Sequence, residues 1–106
     1  MDQFLNRILE LTASAIESGD SIEDMLMSTT EELGEVAACI SAEKGRKKKD
    51  LKEDSKVESI DVVICALSIY FAKGGKIEDI AKVGIAKLQK WEKNIQQRKE
   101  FQMSRD

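Results

Sequence analysis

The stretch Val57-Glu58-Ser59-Ile60-Asp61-Val62-Val63-Ile64-Cys65-Ala66-Leu67-Ser68-Ile69-Tyr70-Phe71 decides the architecture. Its apolar residues fall on nearly every side of a 3.6-residue period, and a helix of that kind must be covered on most of its surface. Asp54 or Ser55 can cap its start, and Gly74-Gly75 closes it. A chain of 106 residues can hardly bury such a helix alone, so the sequence predicts homo-oligomerisation.

Outward from this segment the helical period continues. Phe4, Ile8, Leu11 and Ala15 recur at spacings of four, three and four, with Leu5, Leu9 and Ile16 widening the stripe, until Gly19-Asp20 breaks it. Ser21 reads as an N-cap with Asp24 in the first turn. A second helix carries Ile22, Leu26, Leu33, Val36, Ala37 and Ile40 and fades near Lys44-Gly45. The basic run to about Leu51 reads as a loop. A last helix places Ile77, Ala81, Gly84, Leu88, Trp91 and Ile95 at alternating spacings of four and three, a bundle seam. The polar tail after Phe101 reads as frayed. The prediction is an all-α fold of the four-helix bundle type, one domain over residues 1–106, completed by assembly into a homodimer or homotetramer.

Composition narrows the chemistry. With 42% hydrophobic and 35% charged residues the chain reads as a soluble globular domain, and the absence of proline suits long helices. No run approaches the ~20 apolar residues of a membrane span, and Met1–Glu10 lacks a signal pattern, so a cytoplasmic location is expected. No histidine is present, which removes Ser-His, Cys-His and His-ligated metal chemistry. Cys39 and Cys65 stand apart in apolar helical stretches and read as free thiols rather than a zinc site. Net charge is −3, against a nucleic-acid partner, although Lys44, Arg46, Lys47, Lys48 and Lys49 put five cations in six residues.

Carboxylates remain. Glu31, Glu32 and Glu35 lie on the second helix, Glu58 and Asp61 on the third. Residues three or four apart share a helix face with Cβ atoms about 5–6 Å apart, so antiparallel packing of these helices sets the two acidic groups against each other. Asp61 is the most informative, because it sits in an apolar helix where a carboxylate needs a partner or a proton. Two carboxylates about 5 Å apart repel by roughly 3 kcal/mol at an effective dielectric near 20. A cluster of them calls for a cation, and oxygen-only ligands suit Mg²⁺ or Mn²⁺. Small Gly34, Ala37 and Ala38 allow a neighbouring helix to approach beside the acids. Surface exposure of these acids, or their salt bridging to the lysine-rich loop, is the structural alternative.

The pattern EExxE followed by ExxD, here Glu31, Glu32 and Glu35 and then Glu58 and Asp61 with 22 residues between its halves, resembles the signature of the all-α NTP pyrophosphatase superfamily, in its short MazG-like branch. The resemblance spans about residues 20–95. It implies a Mg²⁺-dependent enzyme that cleaves the α–β phosphoanhydride of a nucleoside triphosphate to monophosphate and pyrophosphate. It also implies metal ligation by Glu32, Glu35, Glu58 and Asp61, with Glu31 assisting. The Lys87-to-Trp91 stretch resembles the closing segment of that family, where a lysine approaches phosphate. Lys87, with Lys44 and Lys47, is a phosphate-contact candidate. Trp91 is either a base-stacking residue or part of the seam. Phosphoribosyl-ATP pyrophosphatase is the nearest enzymatic alternative, but its third helix usually continues into a Tyr-His pair where this chain has Val62-Val63-Ile64-Cys65. A non-catalytic helical interaction module also accounts for the apolar helix, though not for Asp61 within it.

Overall fold

A computed structural model describes residues 1–45 and 54–105. Four helices follow in order, α1 (Asp2–Glu17), α2 (Ile22–Lys44), α3 (Ser55–Ala72) and α4 (Ile77–Arg105), and no strand occurs among the described residues. The chain divides into two compact units, Met1–Gly75 and Lys76–Asp106. No helix among the described residues is long and apolar enough to cross a membrane.

In the first unit the helix ends are set by local chemistry. Ser21 and Asp24 form a reciprocal capping box: the Asp24 N–H donates to Ser21 Oγ at 3.1 Å, and the Ser21 N–H donates to Asp24 Oδ2 at 2.8 Å. Asp54, rather than Ser55, caps α3, its Oδ1 accepting from the Val57 N–H at 3.0 Å. Gly19 and Gly74 follow α1 and α3 at φ values of 109° and 90°, which a side chain rarely adopts.

Helix α3 packs against both α2 and α1. Glu43, near the end of α2, accepts from Ser55 Oγ at 3.1 Å and from the Ser55 N–H at 3.5 Å. This ties the last turn of α2 to the first turn of α3 and makes the two helices an antiparallel pair. The buried side chains are Leu5, Ile8 and Thr12 of α1, Met25 and Cys39 of α2, and Phe71 of α3. Of the expected stripe on α1, Leu5 and Ile8 are buried, whereas Phe4, Leu9, Leu11 and Ile16 stay exposed and Thr12 completes the buried line. Thr12 tolerates burial because its hydroxyl donates to the Ile8 carbonyl at 2.8 Å. Phe71 meets Tyr70 edge to face, with ring centroids 5.4 Å apart.

Part of the α3 surface stays open among the described residues. Ile60 is 51% exposed, and Val63 and Ile64 are also open to solvent. Gly34 lies on an open face of α2, where an added Cβ would meet nothing within 4 Å among the described residues.

In the second unit α4 runs helical to Arg105, past the expected fraying point. Ser104 Oγ donates to the Phe101 carbonyl at 2.8 Å and the Arg105 guanidinium lies 5.6 Å from the Phe101 ring centroid. These contacts extend the helix by a turn and place a cation in its last turn.

Candidate metal centre

Antiparallel packing of α2 and α3 brings Glu32 of α2 against Glu58 and Asp61 of α3. Each offers a carboxylate oxygen within 4.8 Å of the other two. All three side chains are half-buried. The Oε2 atoms of Glu32 and Glu58 are withdrawn from solvent, and Glu32 Oε2 has no hydrogen-bond partner among the described residues. Burial raises the Glu32 carboxyl above its usual pKa, and the neighbouring charges of Glu35, Asp61 and Glu31 push it in the same direction. Among the described residues no cation pairs with Glu32. The trio offers an oxygen-only donor set, of the kind that fits a hard divalent cation.

The remaining sequence candidates fall in different places. Glu35, three residues beyond Glu32, is exposed and stands outside the trio, beside Glu32. Glu31 is exposed as well, close enough to add its charge to that acting on Glu32. Lys44 is the exposed last residue of α2, and Lys47 lies outside the described residues, as does most of the basic run. Lys87 and Trp91 belong to α4 in the second unit, four residues apart on one helical face, and Trp91 is 58% exposed.

A neighbour of the trio was not singled out for chemistry by its sequence pattern. Cys65 lies one turn beyond Asp61, and burial raises its thiol pKa, with the charges of Glu32 and Asp61 adding to the shift. The same residue lines a cavity of about 480 Å³ walled by α1, α2 and α3. Its spacing of four from Asp61 is the one sequence signal that it shares the acidic face.

The chain matches no family model, no curated protein and no solved structure. The reading of the site therefore rests on its own geometry and chemistry.

Proposed function

We propose that the chain is a MazG-like, Mg²⁺-dependent nucleoside triphosphate pyrophosphohydrolase that converts (d)NTP to (d)NMP and pyrophosphate. The observation that carries the reading is the convergence of Glu32, Glu58 and Asp61 from two helices, with oxygens within 4.8 Å and a shielded, unpartnered Glu32 Oε2. Three like charges in a half-buried place raise the free energy of the cation-free fold, and that cost has a use when a cation binds. Glu32, Glu58 and Asp61 would hold Mg²⁺, with Mn²⁺ as a substitute. When bound, the ion supplies Lewis acidity toward the phosphate oxygens and neutralises their charge.

The chain's own groups have distinct tasks. Glu32, Glu58 and Asp61 orient the triphosphate through the cation they share. Glu35, exposed and outside the trio, is the group assigned to take a proton from the attacking water, with Glu31 beside it. Lys44, Lys47 and Lys87 are the phosphate-contact candidates that the resemblance and the basic run suggest. Apolar side chains left open on α2 and α3, Leu33 and Ile60 among them, support a homodimer or homotetramer in which a second copy completes the bundle.

The test is a screen of NTPs and dNTPs with and without Mg²⁺, reading pyrophosphate and monophosphate separately, on the wild type and on Glu32→Gln and Glu35→Gln. The reading requires pyrophosphate and monophosphate in equal amounts, only with the metal, and loss of turnover in both variants. No turnover with any nucleotide, or full activity in either variant, counts against it.

A further inference from the structure

We propose that the cavity between α1, α2 and α3 receives the nucleoside end of a triphosphate held at the carboxylate trio, and that Asp20 and Asp24 at its far rim favour bases bearing an exocyclic amine. The proposal rests on the nucleotide reading of the trio and adds a substrate preference to it. The cavity measures about 480 Å³, within the roughly 300–1,000 Å³ typical of small-molecule pockets. It begins beside the trio, since Cys65 both lines it and feels the charges of Glu32 and Asp61.

From there the cavity extends away from the α2–α3 junction. Along α2, the lining residues Ser28 and Asp24 lie four and eight residues before Glu32, about 6 and 12 Å at 1.5 Å per residue. On α3, Cys65 and Ser68 step away from Asp61 in the same direction. An extended nucleotide with its phosphates at the trio therefore places its base toward the α1–α2 turn.

The walls of the cavity suit a planar, largely apolar ring. Ile8, Leu11, Met25 and Ile64 contribute hydrocarbon and thioether surface. The hydroxyls of Thr12 and Ser68 are committed to their own helices, donating to the Ile8 carbonyl at 2.8 Å and the Cys65 carbonyl at 2.6 Å. The Ser28 hydroxyl and the Cys65 thiol, along the wall, can donate or accept, and the two charged groups that face a base edge, both at the rim, are acceptors. Asp24 gives Oδ2 to the capping box, which holds its carboxyl below the usual pKa and leaves Oδ1. The Asp20 carboxylate carries no hydrogen bond among the described residues.

Ionised carboxylates only accept. They welcome the 4-amino group of cytosine and repel the 4-oxo group of uracil at the same ring position. The same negative rim repels phosphate, so it also sets which way round a nucleotide enters.

The experiment compares CTP with UTP in the presence of Mg²⁺ by kcat/KM, and follows binding of inorganic tripolyphosphate with Mg²⁺ by calorimetry. The expected result is at least a tenfold preference for CTP. Asp20→Ala should bring the ratio down toward unity, and Ser28→Trp, at an exposed position that lines the cavity, should raise KM for both nucleotides at least tenfold. Neither substitution should change tripolyphosphate binding. Tripolyphosphate binding without a CTP–UTP difference, or an unchanged nucleotide KM in Ser28→Trp, overturns the proposal alone. Failure of tripolyphosphate and CTP alike to bind with Mg²⁺ overturns the nucleotide reading and the proposal together.

Discussion

Asp61→Asn should move the stability of the protein in opposite directions with and without metal. Without metal, the wild type holds three carboxylates within 4.8 Å of one another; the neutral amide removes one charge from that group and should raise the apo Tm. With metal the sign reverses. A ligand that binds only the folded state stabilises it by RT ln(1 + [L]/Kd), about 2.7 kcal/mol at 100 times Kd. For a domain of this size each kcal/mol moves Tm by about 4–8 °C, so saturating Mg²⁺ should raise the wild-type Tm by about 11–22 °C. Loss of a hydrogen bond that merely orients a metal ligand already costs roughly 10–100-fold in affinity, so loss of a ligand charge costs at least about 100-fold. At the same Mg²⁺ concentration the variant then sits near its own Kd and gains only about 0.4 kcal/mol, or about 2–3 °C. Differential scanning calorimetry at matched ionic strength, with Na⁺ replacing Mg²⁺ in the control, reads both effects. A variant with a lower apo Tm and an undiminished Mg²⁺ shift would refute the electrostatic reasoning.

Three further outcomes follow from individual residues. The folded-state pKa of Glu32 is raised from its usual value of 4.5, so apo stability should fall as pH climbs from about 4.5 through the raised value. Denaturant titrations across that window should show the slope, and Glu32→Gln should flatten it. The Cys65 thiol, pushed up by burial and by the Glu32 and Asp61 charges, should react slowly with iodoacetamide near pH 8 and faster once Mg²⁺ neutralises those carboxylates, as peptide mass mapping would detect; a rate indifferent to Mg²⁺ would argue that no cation binds there. Phe71, 6% exposed and stacked edge to face on Tyr70, should cost roughly 3–5 kcal/mol on truncation to alanine by urea unfolding, and a loss under 1 kcal/mol would mean that α3 is not anchored through it.

Much of the helical layout was legible in the sequence because its determinants are local. The α1–α2 break at Gly19-Asp20, the cap at Ser21 and the close of α3 at Gly74 each follow from one or two residues whose backbone or side-chain chemistry leaves little choice. Asp61 was legible as unusual because its neighbours are apolar, and its meeting with Glu32 follows once α2 and α3 run antiparallel. Less legible was which face of α1 turns inward: periodicity favoured Leu11, whereas the structure buries Thr12, whose self-satisfied hydroxyl no hydropathy pattern reveals. The split among the acids was also hidden. Spacing treats Glu32 and Glu35 alike, but packing half-buries Glu32 and leaves Glu35 exposed. The cavity could not be read at all, since it exists only where three helices far apart in sequence meet. The helical end of α4 depends on contacts of Ser104 and Arg105 with Phe101 that polarity alone does not disclose.

The central claim is that Glu32, Glu58 and Asp61 form one divalent-cation site, and titration of Mn²⁺ into metal-free protein, followed by electron paramagnetic resonance, tests it most directly. Free Mn²⁺ should vanish from the spectrum until the site is filled and return when Mg²⁺ is added in excess, while Glu58→Gln and Asp61→Asn should take up the ion only at concentrations at least about 100-fold higher. Equal Mn²⁺ uptake by the wild type and both variants, or none by the wild type, would contradict the account.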